Sequence, residues 1–413
     1  MNAVYNLGIR LYSAAAHLAS LRSKKVSTML KGQKEARKKL SSRLDQAQKR
    51  IWIHAASLGE FEQARPLIER IRRDHPDRHI LLSFFSPSGY EVRKDYPLAD
   101  CVTYLPFDTP ANARRFIRDV NPEIAIFVKY EFWGNYLQEL KRREVPTYII
   151  SAIFRPKQSF FRSWGGMMRK MLRCFTTIYV QDDASLKLLT GIGINNAVKA
   201  GDTRFDRVTD VMRSTFSIPV VERFMAGTPV RLIVGSSWEA DEDLYLPYLN
   251  AHPEIKAAIA PHEMHGNRVE ALAARCQNGA VRLSELSDDS EAPDAQVIII
   301  DSFGKLSSLY RYGNLAYIGG GFGAGIHNIN EAAVYSMPVI FGPRYEKFKE
   351  ARDLISRGGA FTYNETASLT TIFDRFLGDP GELKRAGETA GQYIKENLGA
   401  TDRIAADLFP TKI

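Results

Sequence analysis

Residues 318–343 read IGGGFGAGIHNINEAAVYSMPVIFGP, and this stretch decides the expected fold. An apolar strand ends at Ile318, a glycine-rich loop follows, and a short helix is expected from about Asn328 before a second apolar strand, Pro338 to Phe341. This order is the βαβ unit of a nucleotide-binding sheet. Because glycine lacks a Cβ and adopts positive φ, the loop N–H groups could cradle a phosphate. The glycines could instead serve only close packing.

Polar side chains stand at the expected start of that helix: His327, Asn328 and Glu331. A carboxylate does not bind phosphate, so Glu331 is expected to hold a hydroxyl pair such as that of a ribose. The alternative is an Asn328/Glu331 capping box, which needs only a helix N-terminus. No acidic residue follows the second strand, so the dinucleotide fingerprint fits poorly and an NAD enzyme is disfavoured.

Strands and helices alternate along most of the 413 residues, which predicts an α/β fold with parallel sheets. At 45% apolar content the chain can form two doubly wound, Rossmann-like domains, expected to face a central cleft and to hold one substrate each. We expect five segments: an N-terminal membrane-surface segment (1–45), a first domain (46–207), a linker (208–228), a second domain (229–395) and a C-terminal helix that could cross back to the first domain (396–413).

The net charge of +9 is concentrated at the N-terminus. Residues 1–50 hold twelve basic and two acidic residues, so the rest of the chain carries a net charge of −1. A nucleic-acid-binding protein would present a basic face on its body, so no nucleic-acid partner is expected.

Residues 2–24 predict an amphipathic helix, with a polar stripe that includes Asn6 and Arg10 opposite an apolar stripe that includes Leu7 and Leu11. Arg10 interrupts a membrane-spanning pattern. We expect the helix to lie on an anionic membrane surface, with residues 1–50 supplying the positive charge. The alternative is an ordinary amphipathic helix packed on the protein's own core.

In the first domain, IWIHAASLGEF from Ile51 predicts a strand, a loop of small residues and a helix whose first turn holds Glu60. The helix N-terminus favours an ionised carboxylate there, which could act as a general base. The alternative is that Ser57 and Glu60 form a capping box.

In the second domain, further loops follow predicted strands: Gly235-Ser236-Ser237, Pro261-His262 and Asp301-Ser-Phe-Gly-Lys-Leu306. Each could be an ordinary capped turn, but loops that converge on one edge favour a nucleotide site. The spacing of His54, His262, His265 and His327 fits no metal-ligand pattern, and no metal or other cofactor is expected. Three widely spaced cysteines indicate neither disulfides nor a metal site.

These motifs together resemble the 3-deoxy-D-manno-octulosonic acid (Kdo) transferases of lipopolysaccharide synthesis. The ordered matches are YNLGIRLY from Tyr5, HAASLGE from His54, EFW from Glu131, GDTRFD from Gly201, DSFGKL from Asp301 and GIHNINE from Gly325. The resemblance implies a GT-B fold, a CMP-Kdo donor, a lipid A precursor as acceptor and a site on the cytoplasmic face of the inner membrane.

By the same resemblance, Glu60 would be the catalytic base, and Ser57, Gly59 and Glu131 are acceptor-side candidates. The donor residues it implies are Gly235, Ser236, Ser237, Pro261, Phe303, Gly304, His327, Asn328 and Glu331. Further donor-side candidates are His262, Lys305 and Gly325. This chain departs from the family where His262 replaces an arginine, for which Arg268 could substitute, and where Lys129-Tyr-Glu131 replaces a Glu-x-Glu pair.

The expected function is therefore an inverting transfer of Kdo with Glu60 as general base. One alternative is another GT-B enzyme, such as a nucleotide-sugar epimerase or a different glycosyltransferase, without a dependence on Glu60. The other is a non-catalytic membrane-surface binding protein.

Overall fold

The computed structural model describes residues 3–43, 48–213 and 217–410. The chain forms two compact units, the first made of Met1–Arg207 with Leu398–Ile413 and the second of Val208–Asn397. The segment taken as a linker, 208–228, is thus part of the second unit from Val208 onward. The C-terminal residues from Leu398 belong with the first unit.

Helices and strands alternate in both units. Up to the boundary between them the elements are α1 (Ala3–Ala19), α2 (Lys24–Arg43), β1 (Arg50–His54), α3 (Leu58–Asp74), β2 (Ile80–Phe84), α4 (Pro87–Arg93), β3 (Cys101–Tyr104), α5 (Pro110–Val120), β4 (Pro122–Val128), α6 (Gly134–Arg142), β5 (Thr147–Ala152), α7 (Gly166–Leu172), β6 (Thr177–Val180), α8 (Asp183–Thr190), β7 (Ala197–Lys199) and α9 (Arg204–Met212). The remaining elements are α10 (Pro219–Met225), β8 (Arg231–Ser237), α11 (Glu239–Ala251), β9 (Lys256–Pro261), α12 (Gly266–Arg275), β10 (Ala280–Arg282), β11 (Val297–Ile299), α13 (Leu306–Leu309), β12 (Leu315–Ile318), α14 (Asn330–Ala333), β13 (Val339–Phe341), α15 (Lys349–Arg357), β14 (Ala360–Thr362), α16 (Thr366–Gly378), α17 (Pro380–Glu396) and α18 (Ala400–Leu408).

The strands of the first sheet run parallel in the order β3-β2-β1-β4-β5-β6-β7. The chain moves outward from β1 to β3 and restarts at β4 on the other side, so the topological switch lies between β1 and β4. Side chains of β1 alternate between two cores, because successive residues of a strand point to opposite faces. Ile51 and Ile53 pack with α3 and α18, whereas Trp52 packs with α5 and α6.

The second sheet is also parallel, in the order β10-β11-β9-β8-β12-β13-β14. Its switch lies between β8 and β12. Leu232 and Val234 of β8 pack with Tyr245 of α11 and Tyr317 of β12 in a buried core. The predicted pair of doubly wound α/β units with an N-terminal helix is confirmed.

The strands that the sequence did not predict are short and lie at sheet edges: β7, β10 and β14 have three residues each. An edge strand has one neighbour and needs no continuous apolar run, so its sequence signal is weak. The helix expected from about Asn328 is a single turn, Asn330–Ala333.

Helix α1 contacts the rest of the first unit through Tyr5, Asn6 and the buried Ala16. The hydroxyl of Tyr5 donates to Oδ2 of Asp108 (2.6 Å), and Asn6 accepts from Nδ2 of Asn135 (2.9 Å). The apolar stripe is exposed instead, between 58% and 74%, at Val4, Leu7, Leu11 and Leu18. The structure therefore contradicts the alternative in which this stripe packs on the protein's own core. No helix within the described residues is both long and apolar enough to cross a membrane.

Candidate active site

The switch point of the first sheet carries the predicted catalytic residue. Strand β1 ends at His54, and residues 55–57 lead directly into α3, whose first turn holds Glu60. Strand β4 ends at Val128, and the loop before α6 holds Tyr130 and Glu131. Parallel strands on either side of a switch end at one edge of the sheet, so these two loops line one crevice.

Ser57 and Glu60 do not form the capping box that their spacing allows. Ser57 is the N-cap of α3, but its side chain makes no capping hydrogen bond with the described helix. Its hydroxyl donates instead to Oε2 of Glu60, which stabilises the carboxylate. Glu60 is half-buried, and the neighbouring Gly59 is exposed. The carboxylate is therefore held by a side chain while it remains partly accessible.

Glu131 is tied to the end of the sheet. It accepts a hydrogen bond from Nε1 of Trp133 (2.6 Å), and its Oε2 lies 3.3 Å from Nε2 of the fully buried His54. Nδ1 of His54 lies 2.9 Å from the hydroxyl of Ser83. These contacts fix the orientation of Glu131 at the crevice, while its role toward an acceptor stays a prediction.

A buried network supports α3 one turn after Glu60. Nε2 of Gln63 donates to Oδ1 of Asp202 (3.1 Å), and the hydroxyl of Thr203 donates to the carbonyl of Gln63 (2.5 Å). Asp202 also pairs with Arg204 at 2.7 Å. Burial by itself would raise the pKa of Asp202, but the Arg204 charge and the hydrogen bonds lower it below its ordinary value. The GDTRFD motif thus has a positioning role, which its distance from α3 in the chain conceals.

Charges of both signs lie around Tyr130 in the loop that follows β4. Burial raises the pKa of Tyr130, the charges of Arg155 and Arg204 oppose this rise, and those of Asp202 and Glu60 add to it. All four charges therefore act on one phenol at the crevice. Arg155 is exposed, and its guanidinium has no carboxylate within ion-pair distance among the residues that the structure describes. An anionic group could bind there.

In the second unit, glycines allow the loops at the switch to approach each other. A Cβ on Gly319 would lie 2.3 Å from the carbonyl oxygen of Ser236, and one on Gly321 would lie 2.6 Å from the backbone of Gly342. Real Cβ atoms do not approach backbone so closely. The close-packing interpretation of these two glycines is therefore confirmed.

The amides of the glycine loop are largely used within the protein. Gly319 N–H donates to the carbonyl of Gly235, Gly320 N–H to Oδ2 of Asp241, and the N–H groups of Gly323 and Gly325 to the carbonyl of Gly320. The following helix is a single turn. These four N–H groups already have acceptors within the protein, so the expected phosphate cradle has fewer donors than the glycine count indicates and stays a prediction.

Asp241 connects the two loops at the switch, and the sequence analysis missed it. Its buried carboxylate accepts from the backbone N–H of Trp238 (2.9 Å) and Gly320 (3.0 Å) and from the hydroxyl of Tyr317 (3.0 Å). The only available signal was an acidic residue at the third position of a helix that follows a strand. That signal predicts a local cap but not the contact with Gly320.

The serines that follow β8 differ in what they can bind. Ser237 is buried and its hydroxyl donates to Glu242 (3.1 Å), so that hydroxyl is already engaged. Ser236 is half-buried with a left-handed backbone (φ 55°), a costly conformation for a residue other than glycine. Arg268 pairs with the fully buried Glu242, so it is bound within the unit. The role of His262 at this position stays a prediction.

His262 and His327 form an aromatic stack with Trp238. The ring centroids of Trp238 and His262 are 4.2 Å apart, and those of His262 and His327 are 4.8 Å apart. Burial and then the charge of His262 lower the pKa of His327, while Asp241 opposes this. Pro261 is buried at the end of β9 and sets the position of His262.

The loop between β11 and α13 adds an exposed apolar group and a cation. Phe303 is 81% exposed and Gly304 is exposed beside it. Lys305 has no ion-pair partner among the described residues. Glu331 accepts from Nδ2 of Asn328 (3.0 Å) and from the hydroxyl of Ser307 (3.1 Å), so the carboxylate is bound by side chains. The N-cap of α14 is Ile329, so Asn328 and Glu331 do not cap this helix as a box.

Relatives of known activity cover both units. A family model described as 3-Deoxy-D-manno-octulosonic-acid transferase (kdotransferase) matches residues 31–207. The 3-deoxy-D-manno-octulosonic acid transferase of Haemophilus influenzae is 28% identical over 375 residues, which are 87% of this chain and 86% of the relative. The chain is therefore similar to Kdo transferases along most of its length. The protein of the same name from Rickettsia felis is 26% identical over 380 residues, 88% of this chain and 80% of its own.

These similarities confirm the resemblance stated from the motifs and indicate that the chain is a glycosyltransferase. Among solved structures, the UDP-GlcNAc 2-epimerase from Neisseria meningitidis bound to UDP-GlcNAc is similar, with a TM-score of 0.60 over 87% of this chain and 99% of that one. Its identity is 12%, so this similarity concerns the fold alone.

Proposed function

We propose that this protein transfers Kdo from CMP-Kdo to a lipid A precursor similar to lipid IVA in the synthesis of the lipopolysaccharide inner core, with inversion and with Glu60 as general base. The observation that carries the proposal is the state of Glu60. This carboxylate lies in the first turn of α3 at the switch point. It accepts a hydrogen bond from the hydroxyl of Ser57 and takes no part in a capping box.

The chemistry requires one proton acceptor on the acceptor side. Glu60 takes the proton of an acceptor hydroxyl, the freed oxygen forms a bond with the anomeric carbon of Kdo, and the bond from that carbon to the phosphate of CMP breaks. CMP leaves with the electron pair of that bond. A single displacement of this kind inverts the anomeric configuration, and general base catalysis of such a step contributes about 10²–10⁴-fold in rate.

The second unit supplies groups suited to a cytidine monophosphate. The polar side chains that could receive the phosphate are His262, His327, Lys305 and Ser236. They matter because four of the glycine N–H groups are engaged within the protein. Phe303 offers an exposed ring to a base, and Glu331 an acceptor to ribose hydroxyls. No metal or cofactor takes part in the proposed reaction.

The exposed apolar stripe of α1 supports attachment to the cytoplasmic face of the inner membrane, where the acceptor lipid resides. An amphipathic helix in a membrane surface buries its apolar face in the lipid and keeps its polar face outside. Helix α1 meets this requirement because its apolar stripe is exposed, while Tyr5 and Asn6 contact the rest of the first unit.

The test incubates the protein with CMP-Kdo and the lipid A precursor and follows CMP release and the mass of the lipid. We expect a mass increase of one or more Kdo units and a product with the opposite anomeric configuration by NMR. Glu60→Gln should lower kcat about 10²–10⁴-fold with CMP binding retained. The matched control is Glu62→Gln on the same helix, a residue whose carboxylate pairs with Arg93 and which should keep most activity.

Two outcomes contradict the proposal. Wild-type turnover in Glu60→Gln excludes this residue as the base. Release of CMP without any change in the mass of the lipid excludes the proposed acceptor.

A further inference from the structure

A basic pocket lies on the first unit beside α1 and is used by no step of the proposed reaction. It has a volume of about 700 Å³, within the usual range for ligand sites. Its walls come from α1, α5, α6 and the region of α7. The charged side chains that line it are Arg114, Lys141, Arg142, Glu139, Lys170 and Arg173.

The positive charge of this pocket is largely uncompensated. Among the described residues, Glu139 is the one acidic residue that lines it, and Arg142 and Arg143 both pair with that carboxylate, at 2.6 and 2.7 Å. Lys141 donates to the carbonyl of Arg173 (3.0 Å). Within the described part of the chain, Arg114, Lys170 and the guanidinium of Arg173 have no carboxylate within ion-pair distance. Three cations are therefore available to one ligand.

The local sequence strengthens this excess. Between Glu144 and Asp182 the chain has no acidic residue and six basic ones, although the chain outside residues 1–50 carries a net charge of only −1. Helix α7 lies within this stretch, and Trp164, just before it, is 72% exposed. Exposed tryptophan next to basic residues is typical of membrane–water interfaces.

The pocket is joined to the proposed membrane helix by direct contacts. Asn6 of α1 lines it and accepts from Nδ2 of Asn135, which also lines it. Asp108 accepts from Tyr5 of α1 and from the backbone N–H of Asn135, so α1 and the start of α6 are fixed to one carboxylate. A lipid in the layer that α1 enters could place its headgroup at this depth.

We propose that this pocket binds the phosphate-bearing headgroup of an anionic membrane phospholipid. The planar guanidinium groups of Arg114 and Arg173 suit two oxygens of one phosphate, and Lys170 adds a point charge. The site orients the first unit on the membrane, whereas α1 supplies the apolar insertion. The inference rests on the membrane attachment in the proposed function. It extends the expected membrane contact to residues outside the basic segment 1–50.

The test measures binding of the full chain to phosphatidylcholine vesicles with and without phosphatidylglycerol by sedimentation. The pocket variant carries Arg114→Gln, Lys170→Gln and Arg173→Gln. The control variant loses the same charge at exposed sites outside the pocket, Arg115→Gln, Lys187→Gln and Lys395→Gln. Phosphatidylglycerol should strengthen vesicle binding of the wild-type protein. We expect this increase to be at least about tenfold smaller in the pocket variant and less than about twofold smaller in the control.

Equal losses in the two variants overturn the proposal, since a general field and not a site would then attract the lipid. Binding of soluble glycerol phosphate as tight as that of vesicles also overturns it, because the ligand would then be a free phosphate. A third variant, Leu7→Ser with Leu11→Ser, should lose binding to both kinds of vesicle. With a detergent-dispersed acceptor, the pocket variant should turn over as fast as the wild-type protein. This measurement separates a failure of headgroup binding from a failure of the proposed transfer reaction.

Discussion

The two sheets of this protein have the same architecture but build their candidate sites in different ways. In the first unit the loop after β1 is three residues long and leads into a 17-residue helix, whose first turn presents Glu60. In the second unit the loop after β12 is rich in glycine and leads into a single helical turn. The first site therefore depends on a side chain held by a long helix, and the second on backbone packing.

The supports of the two sites differ in the same way. Asp202 holds α3 through the side chain of Gln63, which lies one helical turn after Glu60. Asp241 holds two backbone N–H groups from different loops and so fixes the loops directly. A mutation of the second site should therefore cost folding stability, whereas many changes in the first loop should not.

The largest difference is expected between Gly319→Ala and Gly59→Ala. A Cβ on Gly319 meets backbone that cannot yield, and we expect a loss of about 3 kcal/mol in the free energy of unfolding together with weaker CMP binding. A Cβ on Gly59 lies 3.9 Å from its nearest neighbour, the hydroxyl of Ser57. Alanine there should change stability by less than about 1 kcal/mol, because it favours the helix. Urea unfolding followed by circular dichroism measures both, and equal losses would contradict the comparison.

Asp202→Asn should have the next largest effect. We expect the free energy of unfolding to fall by about 2 kcal/mol at pH 7, because the change removes charged hydrogen bonds to Arg204 and Gln63. The pKa of Asp202 is lowered in the folded protein, so its stabilisation is complete above its ordinary value of 3.8 and is lost as pH falls through the lowered pKa. The stability difference between wild type and variant should therefore shrink only in strong acid.

The matched control for this carboxylate is Asp183→Asn, at an exposed pair with Lys199, which should leave stability unchanged. The activity of Asp202→Asn should fall several-fold as α3 loosens, with CMP affinity retained. A loss of CMP affinity equal to the loss of kcat would show that Asp202 does not act through Glu60.

The smallest effect concerns His327, whose pKa is lowered by burial and then by the charge of His262. NMR titration should find His327 ionising below 6.5 in the free protein and closer to 6.5 in His262→Gln. The control is His252→Gln, which changes a histidine stacked on Tyr248 in the same unit. It should leave the pKa of His327 unchanged. CMP should raise the pKa of His327, because a nearby phosphate favours the protonated ring. An unchanged titration on CMP addition would remove His327 from the donor site.

Much of the architecture was predictable because local patterns carry it. Apolar runs separated by helical periods indicated parallel strands, and the small residues after His54 indicated the helix that starts before Glu60. The edge strands β7, β10 and β14 were not predicted, because a strand of three residues is too short to show a periodic pattern. The roles of the donor-side residues and of Ser57, Gly59 and Glu131 stay predictions.

The sequence alone determined the alternation of strands and helices, the position of Glu60 in a helix start and the two stripes of α1, since each depends on residues close together in the chain. Only the tertiary structure decided which polar groups stay available. Gly320 N–H bonds to Asp241, Ser237 bonds to Glu242, and the apolar stripe of α1 faces outward. The physical reason is that a buried polar group bonds to a partner that is close in the folded structure. The separation of two residues along the chain does not say whether they are close in space.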